Sequence, residues 1–262
     1  MDSVTLLKKL LVEGKEVLVL NFSYGSKHNK KERRALLDVC DVLNVPVYLY
    51  DLPVNVSKYI PNTCNQEVPE SLLASNLLKT GEAIPEGHYE EANMRQTVVP
   101  FRNGIMLSIA VGFAESHGCT AVYYGNHAGD NTNYPDCRSD FVNAIGNAAV
   151  LGTFEGIEIR SLFVNMTKTD IAKMGIEIGA PLELTWSCYN GQRDRPCLRC
   201  CTCIERCEAF FKTGAKDPAL TMEEWDQGVK NMKKVVDEFN KDHKEDIKSA
   251  LDYQQEQSEL HG

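Results

Sequence analysis

Six of the chain's ten cysteines fall between Cys188 and Cys207. Cys188, Cys197, Cys200 and Cys203 are separated by eight, two and two residues. Thiolates at such spacings can converge on one tetrahedral ion. Free cysteines are ordinarily buried small hydrophobes. Here Arg193, Asp194, Arg195 and Arg199 leave no apolar setting, so these four residues read as a zinc site. Four protein ligands leave no open position for water or substrate, and the metal is therefore expected to be structural. Cys201 and Cys207 are surplus, and either would replace a ligand if the register differed.

The polar chemistry gathers elsewhere. The segment Gly125-Asn-His-Ala-Gly-Asp-Asn-Thr-Asn-Tyr-Pro-Asp-Cys-Arg138 follows an apolar run, Cys119 to Tyr124, that reads as a strand. In parallel α/β sheets, ligands bind beyond the carboxyl ends of strands. This loop would lie there with His127, Asp130, Asp136 and Arg138. Arg102 would lie near the N-terminus of a long helix, and Lys168 and Asp170 begin another. Each residue also has an ordinary structural reading. Asp136 would end a turn after Pro135, Arg102 would pair with a carboxylate, His127 would cap a strand and Cys137 would sit in the core. Taken together they point to a site.

The elements that must position these groups alternate. Helices are predicted over Asp2–Gly14, Asn29–Asn44, Arg102–His117, Ser139–Leu151, Thr167–Ile178 and Ile204–Phe211. Strands are predicted over Glu16–Tyr24, Val45–Leu52, Cys119–Tyr124 and Ile157–Phe163. The near-continuous apolar run in the first strand predicts burial on both faces. Arg102–His117 is apolar all round and predicts a buried helix. The alternation predicts a three-layer α/β fold with a parallel sheet. Val54 to Pro100 is irregular, with a short helical patch near Ser71–Leu78, and suits a binding loop or a solvated insertion. Thr221–His261 is charged and helical in pattern, and reads as a solvated appendage or a partner helix. The expected divisions are residues 1–186 (α/β domain), 187–215 (zinc-binding segment) and 216–262 (charged helical tail).

Bulk properties exclude other classes. The 262 residues are 43% hydrophobic and 25% charged, the composition of a globular protein. A net charge of −9 argues against a nucleic-acid groove, which needs Lys and Arg in excess. The longest apolar stretch, Gly104–Ala114, is about half of the roughly 20 residues a membrane-spanning helix needs. The opening residues, with Lys8 and Lys9 among them, lack the form of a signal peptide. A cytoplasmic location is expected.

Val99-Pro-Phe-Arg-Asn103, Tyr134-Pro-Asp-Cys-Arg-Ser-Asp-Phe141 and Ser187-Cys-Tyr-Asn-Gly191 with the cysteines that follow resemble the 7-cyano-7-deazaguanine synthases. Phe22-Ser-Tyr-Gly-Ser-Lys-His28 is also similar to that family's second strand and following loop. The resemblance implies a PP-loop ATP pyrophosphatase with an adenine-nucleotide α-hydrolase-like fold. It implies conversion of 7-carboxy-7-deazaguanine and ammonia into the nitrile, preQ0, for queuosine or related deazaguanines. ATP would activate the carboxylate as an acyl adenylate, and ammonia would give the amide. A second ATP would then activate the amide oxygen, whose loss gives the nitrile. Mg²⁺ would neutralise the phosphates. Motif matching makes Arg102, Asp136, Arg138 and Lys168 candidates for substrate, nucleotide or phosphate contacts. Asp2 and Ser3 match the helix start of the nucleotide loop, and the four cysteines match the family's zinc site. By analogy the chain would be a homodimer.

One departure bears on the nucleotide. The family's loop reads Ser-Gly-Gly-x-Asp-Ser after its first strand, whereas this chain opens Met1-Asp2-Ser3. Three readings stand: a true start upstream of Met1, which is the expectation; a truncated remnant; or a chain that works without the loop, with another chain completing the site. The rival functions are an amide-forming ligase that stops after one ATP, a sulfur-inserting tRNA enzyme using Cys137, Cys201 or Cys207, and a non-catalytic zinc-bearing scaffold.

Overall fold

The computed structural model describes residues 1–52, 75–78 and 81–244. Helix α1 (Asp2–Val12) buries Val4, Leu6, Leu7 and Leu10, the spacing that puts apolar side chains on one helical face. It stops at Gly14, whose left-handed φ of +75° favours glycine. Strand β1 (Val19–Ser23) is followed by α2 (Asn29–Leu43) and β2 (Val47–Asp51). β1 and β2 pair in parallel, from Val19 opposite Val47 to Ser23 opposite Asp51. Next come α3 (Arg102–Ser116), β3 (Ala121–Tyr123), α4 (Ser139–Gly152) and β4 (Glu158–Arg160). β3 and β4 pair in parallel, from Ala121 opposite Glu158 to Tyr123 opposite Arg160. α5 (Lys168–Glu177), α6 (Cys201–Thr213) and α7 (Met222–Asp242) complete the order.

The α/β character and the parallel pairing follow the sequence pattern. The continuity of the sheet does not. Among the described residues the strands form two separate pairs, β1–β2 and β3–β4. β1 therefore has a hydrogen-bonded neighbour on one edge, and all five of its residues are half-buried instead of enclosed on both faces. α3 also differs from expectation. It buries Gly104, Leu107, Val111 and Ala114, while its other positions are half-buried or exposed; Val111 and Ala114 join a core cluster with Ala149 and Ile157, and Ile105 and Met106 pack against a second one around Tyr24 and Leu77. Residues 71–74 of the predicted patch at Ser71–Leu78 lie outside the described residues, and residues 75–78 form a turn.

The helical tail is docked over its described part. Met232 of α7 is 3% exposed and packs on Ile204 and Cys207 of α6. Residues 245–261 of the predicted helix lie outside the described residues.

A buried ion pair fixes α6 to the chain on either side of it. Arg206 donates from Nε to Asp217 Oδ2 at 2.6 Å and from Nη2 to Asp217 Oδ1 at 2.9 Å. It also donates to the Thr185 hydroxyl at 2.7 Å, the Ser187 hydroxyl at 3.1 Å and the Leu182 carbonyl at 3.2 Å. Methionine would keep the bulk and strand Asp217 as a buried unpaired charge, which costs about 3–5 kcal/mol. Arg206→Met is expected to lower the free energy of unfolding by about 3 kcal/mol, measured by urea denaturation.

Candidate functional site

Three helix ends meet in one cavity. Asp2 and Ser3 open α1, Lys168 opens α5, and Glu205 lies in α6 two residues beyond Cys203; all four line it. α5 starts where it does because Thr167 and Asp170 form a capping box. The Thr167 hydroxyl accepts the Asp170 N–H at 3.2 Å, and Asp170 Oδ2 accepts the Thr167 N–H at 2.9 Å. Asp170 is thus occupied in capping, while Lys168 is aimed at the carboxylates. Its Nζ stands 2.6 Å from Glu205 Oε2 and 3.6 Å from Asp2 Oδ2. Burial disfavours the ammonium, yet Asp2 and Glu205 hold its pKa well above the usual lysine value. Burial alone would raise the Asp2 carboxyl; Lys168 opposes it, and the balance leaves Asp2 at about 2. The other oxygen of Asp2, Oδ1, is buried with no hydrogen-bond partner.

His127 joins this group. Its Nδ1 accepts the Gly129 N–H at 3.1 Å, so in the neutral ring Nε2 carries the proton. That Nε2 lies 3.6 Å from both Asp130 Oδ2 and Glu205 Oε1. These separations exceed a direct hydrogen bond and leave the N–H free to meet a water or a ligand between the carboxylates. The expected capping role is present too, on the turn at Ala128–Asn131 and not on a strand.

An aromatic chain forms the other wall. The Arg102 Nη1 donates to the Tyr24 hydroxyl at 3.3 Å, and the guanidinium lies 5.5 Å from the centre of the Tyr24 ring. Tyr24 OH is 3.5 Å from His28 Nε2, and the His28 ring stacks on Tyr189 at 5.1 Å. Tyr189 OH lies 3.4 Å from Tyr134 OH, which is 2.8 Å from Thr97 Oγ1. Tyr134 and Tyr189 line the same cavity as Lys168. Burial pushes the Tyr134 hydroxyl up to about 12, so it stays a neutral donor at ordinary pH. Gly191 is required here: a Cβ on it would run into the Lys27 carbonyl oxygen.

The structure thus brings Asp2, Ser3 and Lys168 together and connects Arg102 to them through tyrosines. The described partners of Arg102 are Tyr24 and Asn103, with no carboxylate among them. Asp136 and Arg138 stand apart from the cavity. Asp136, 8% exposed, accepts the Asn103 N–H at 2.8 Å and so caps the start of α3. Arg138 is exposed and donates from Nε to the Asn131 carbonyl at 3.0 Å. Cys137 is buried, as its core reading expects, and accepts from Asn103 Nδ2 at 3.2 Å. Asp136→Ala is expected to lower stability by about 1 kcal/mol, the scale of a lost helix cap, measured by thermal melting.

Cys188, Cys197, Cys200 and Cys203 place their sulfurs within 4.8 Å of one another. The Cys197–Cys203, Cys188–Cys200 and Cys200–Cys203 separations are 4.0, 3.9 and 3.5 Å. A tetrahedral ion with metal–sulfur bonds of about 2.3 Å sets its ligands about 3.8 Å apart, so the four thiols fit a metal. The Cys197 N–H donates to Cys188 Sγ and the Cys200 N–H to Cys197 Sγ, each at 3.3 Å. Such bonds stabilise thiolates. Between them Leu198 takes a left-handed φ of +59°, and Asn231 Nδ2 of α7 donates to its carbonyl at 2.9 Å. The surplus thiols stand outside the tetrad. Cys207 packs beside Met232, where burial pushes it up to about 12, and Cys201 lines the cavity.

Glu205, His28, Glu32, Tyr89, Tyr134, Trp186 and Tyr189 are the contributors that sequence reasoning passed over. Tyr134 and Tyr189 lie inside the motifs quoted above. Glu205 carried no local signal beyond its nearness to the cysteines.

A family model described as "Queuosine biosynthesis protein QueC" matches residues 1–214. The 7-cyano-7-deazaguanine synthase of Hahella chejuensis is 44% identical over 218 residues, covering 83% of this chain and 87% of the relative. That of Archaeoglobus fulgidus is 42% identical over 230 residues, covering 87% and 90%. That of Caldicellulosiruptor bescii is 42% identical over 219 residues, covering 83% and 91%.

Proposed function

The chain belongs to the QueC family, and we propose on that premise that it is a carbon–nitrogen ligase making 7-cyano-7-deazaguanine from 7-carboxy-7-deazaguanine, ammonia and ATP. Family membership implies the adenine-nucleotide α-hydrolase fold, and the single three-layer parallel sheet is part of this reading. The observation that carries it at the site is Lys168. A permanently protonated ammonium at a helix N-terminus, framed by carboxylates and by hydroxyl donors, suits a reaction that moves phosphate charge.

A carboxylate oxygen of the substrate attacks the α-phosphorus of ATP, and pyrophosphate leaves. Ammonia attacks the acyl carbon, AMP leaves, and a proton is released as the amide forms. The amide oxygen then attacks a second α-phosphorus, pyrophosphate leaves, and an N–H proton is lost. Expulsion of AMP with the last N–H proton gives the nitrile. Lys168 and the start of α5 offset the developing pyrophosphate charge. Arg102, held by Tyr24, supplies a further fixed cation. Glu205 and Asp130, with His127 between them, accept the released protons. Ser3 offers its hydroxyl and N–H at the nucleotide end of α1. Asp136 and Arg138 act by holding the loop.

Mg²⁺ neutralises ATP phosphates when bound, and the unpartnered Oδ1 of Asp2, with Asp130 nearby, is a fitting donor for it. The tetrad metal is zinc by ligand chemistry, since four thiolates at tetrahedral spacing select it over oxygen-seeking ions. It closes its own coordination and plays no direct part in the steps. No helix among the described residues is long and apolar enough to cross a membrane, and a cytoplasmic location goes with this reading. So does a homodimer, for which the exposed Leu151 in the last turn of α4 and Phe154 beyond it offer apolar surface.

The test supplies 7-carboxy-7-deazaguanine, ammonium and ATP and follows product by mass spectrometry. Nitrile with one AMP released for each of two activations is expected. Amide as the final product, or no ATP-dependent product, would sink the proposal.

A further inference from the structure

We propose that Phe239 of α7 is a positioning residue for the cavity, acting through His88 on Tyr89. The proposal rests on the substrate reading above. The match to the family ends at residue 214, whereas α7 begins at Met222. Yet α7 reaches the site. Its last turn carries Phe239, whose ring stacks on His88 with centroids 3.9 Å apart and an interplanar angle of 15°. His88 stacks in turn on Tyr89 at 4.2 Å. Tyr89 lines the cavity that holds Lys168 and Glu205.

The segment between these rings has little regular structure to hold it. It forms an isolated bridge from Glu86 to Cys200, and Ala92–Thr97 is a short 3₁₀ turn. Tyr89 is fixed by side chains: its hydroxyl donates to Glu208 Oε2 at 2.9 Å and its carbonyl accepts from Asn133 Nδ2 at 2.8 Å. Neither bond sets the plane of the ring. His88, 4% exposed and sandwiched between Tyr89 and Phe239, does so. Tyr89, Tyr134 and Trp186 then offer flat faces to a planar heterocycle. Deazaguanine and adenine share that shape, so the positioned ring serves one or other substrate.

The test uses the full chain with Phe239→Ala, the conservative Phe239→Tyr and, as a control on the same helix, Val229→Ala. Val229 packs in the α6–α7 cluster and touches neither ring stack nor cavity. Steady-state constants are measured separately for 7-carboxy-7-deazaguanine and ATP, and amide hydrogen exchange is followed over residues 86–97. Phe239→Ala is expected to raise KM for one of the two by about tenfold, the scale of one aromatic contact, with kcat kept within about twofold. Exchange at His88 to Glu91 is expected to quicken. Phe239→Tyr should restore both, and Val229→Ala should lower the melting temperature with KM unchanged. Unchanged exchange in Phe239→Ala, or an equal KM shift in Val229→Ala, overturns the proposal. A wild-type chain that forms no nitrile would remove the proposed function, while the exchange comparison would still decide whether Phe239 holds Tyr89.

Discussion

Lys168→Met lowers kcat/KM for ATP-dependent nitrile formation by about two to three orders of magnitude, the range for removing one preorganised charge or donor from a transition state. The direction follows from geometry. Lys168 Nζ is 2.6 Å from Glu205 and 3.6 Å from Asp2, so the cation already sits where phosphate oxygens would arrive. Methionine keeps the length of the side chain and removes its charge. Glu205 and Asp2 are then left facing an anionic nucleotide, which adds repulsion to the lost attraction. Metal content should change little, while the unfolding midpoint should fall, because Glu205 and Asp2 lose the cation that pairs their buried charge. An unchanged kcat/KM would show that Lys168 is only a structural partner of Glu205. The pH dependence is a second reading of the same pair. Asp2 has a depressed pKa, so the stability from its charge is complete above its ordinary value of 3.8 and is lost as pH falls through about 2. Lys168 has a raised pKa, so its contribution is complete below its ordinary 10.5 and is lost only as pH rises through the raised value. Neither group should produce a limb in kcat/KM between about pH 5 and pH 9.

What was legible in the sequence follows the range of the interactions. The cysteine tetrad was readable because its ligands lie within sixteen consecutive residues and their spacing is itself the geometry. Asp2, Ser3 and Lys168 were reached by motif and do converge. Glu205 was out of reach because its role depends on the packing of α6 against α5, which no local pattern encodes. Asp136 illustrates a different limit. Its motif is legible, but a carboxylate beside a helix start can bind a ligand or cap the helix, and residue type alone does not reveal the bond it accepts from the Asn103 N–H. The sheet shows a third limit. Apolar strands predict parallel pairing, which both pairs show, but continuity needs a neighbour on each edge, and among the described residues β1 and β3 each have one. α7 looked solvated because its charged residues outnumber its buried ones, yet Met232, with Trp225, Val229, Val235 and Val236, docks it on α6, and Phe239 stacks on His88.

Cys200→Ser is expected to abolish stoichiometric zinc binding, measured by plasma emission, and to lower the melting temperature by about 10 °C, which for a chain of this size corresponds to about 3–5 kcal/mol. Structural zinc in isolated finger peptides supplies apparent energies of about 10–16 kcal/mol. The smaller figure follows because α6 has other anchors, including the Arg206–Asp217 pair and Phe210 in the core. Cys200 is the sensitive position because it precedes the first residue of α6, pairs with Glu86 and lies within 4.0 Å of the Cys188 and Cys203 sulfurs. Losing the metal there frees the first turn of α6, and Glu205 lies in that region, two residues beyond Cys203. The carboxylate would then no longer be fixed against Lys168. Activity should therefore fall with zinc content although the metal touches no reacting atom. Chelation of the wild-type chain separates the effects: removing zinc should lower kcat/KM and quicken amide exchange around Glu205 together. Zinc-free protein that retains both its melting temperature and its activity would show that α6 is held by packing alone.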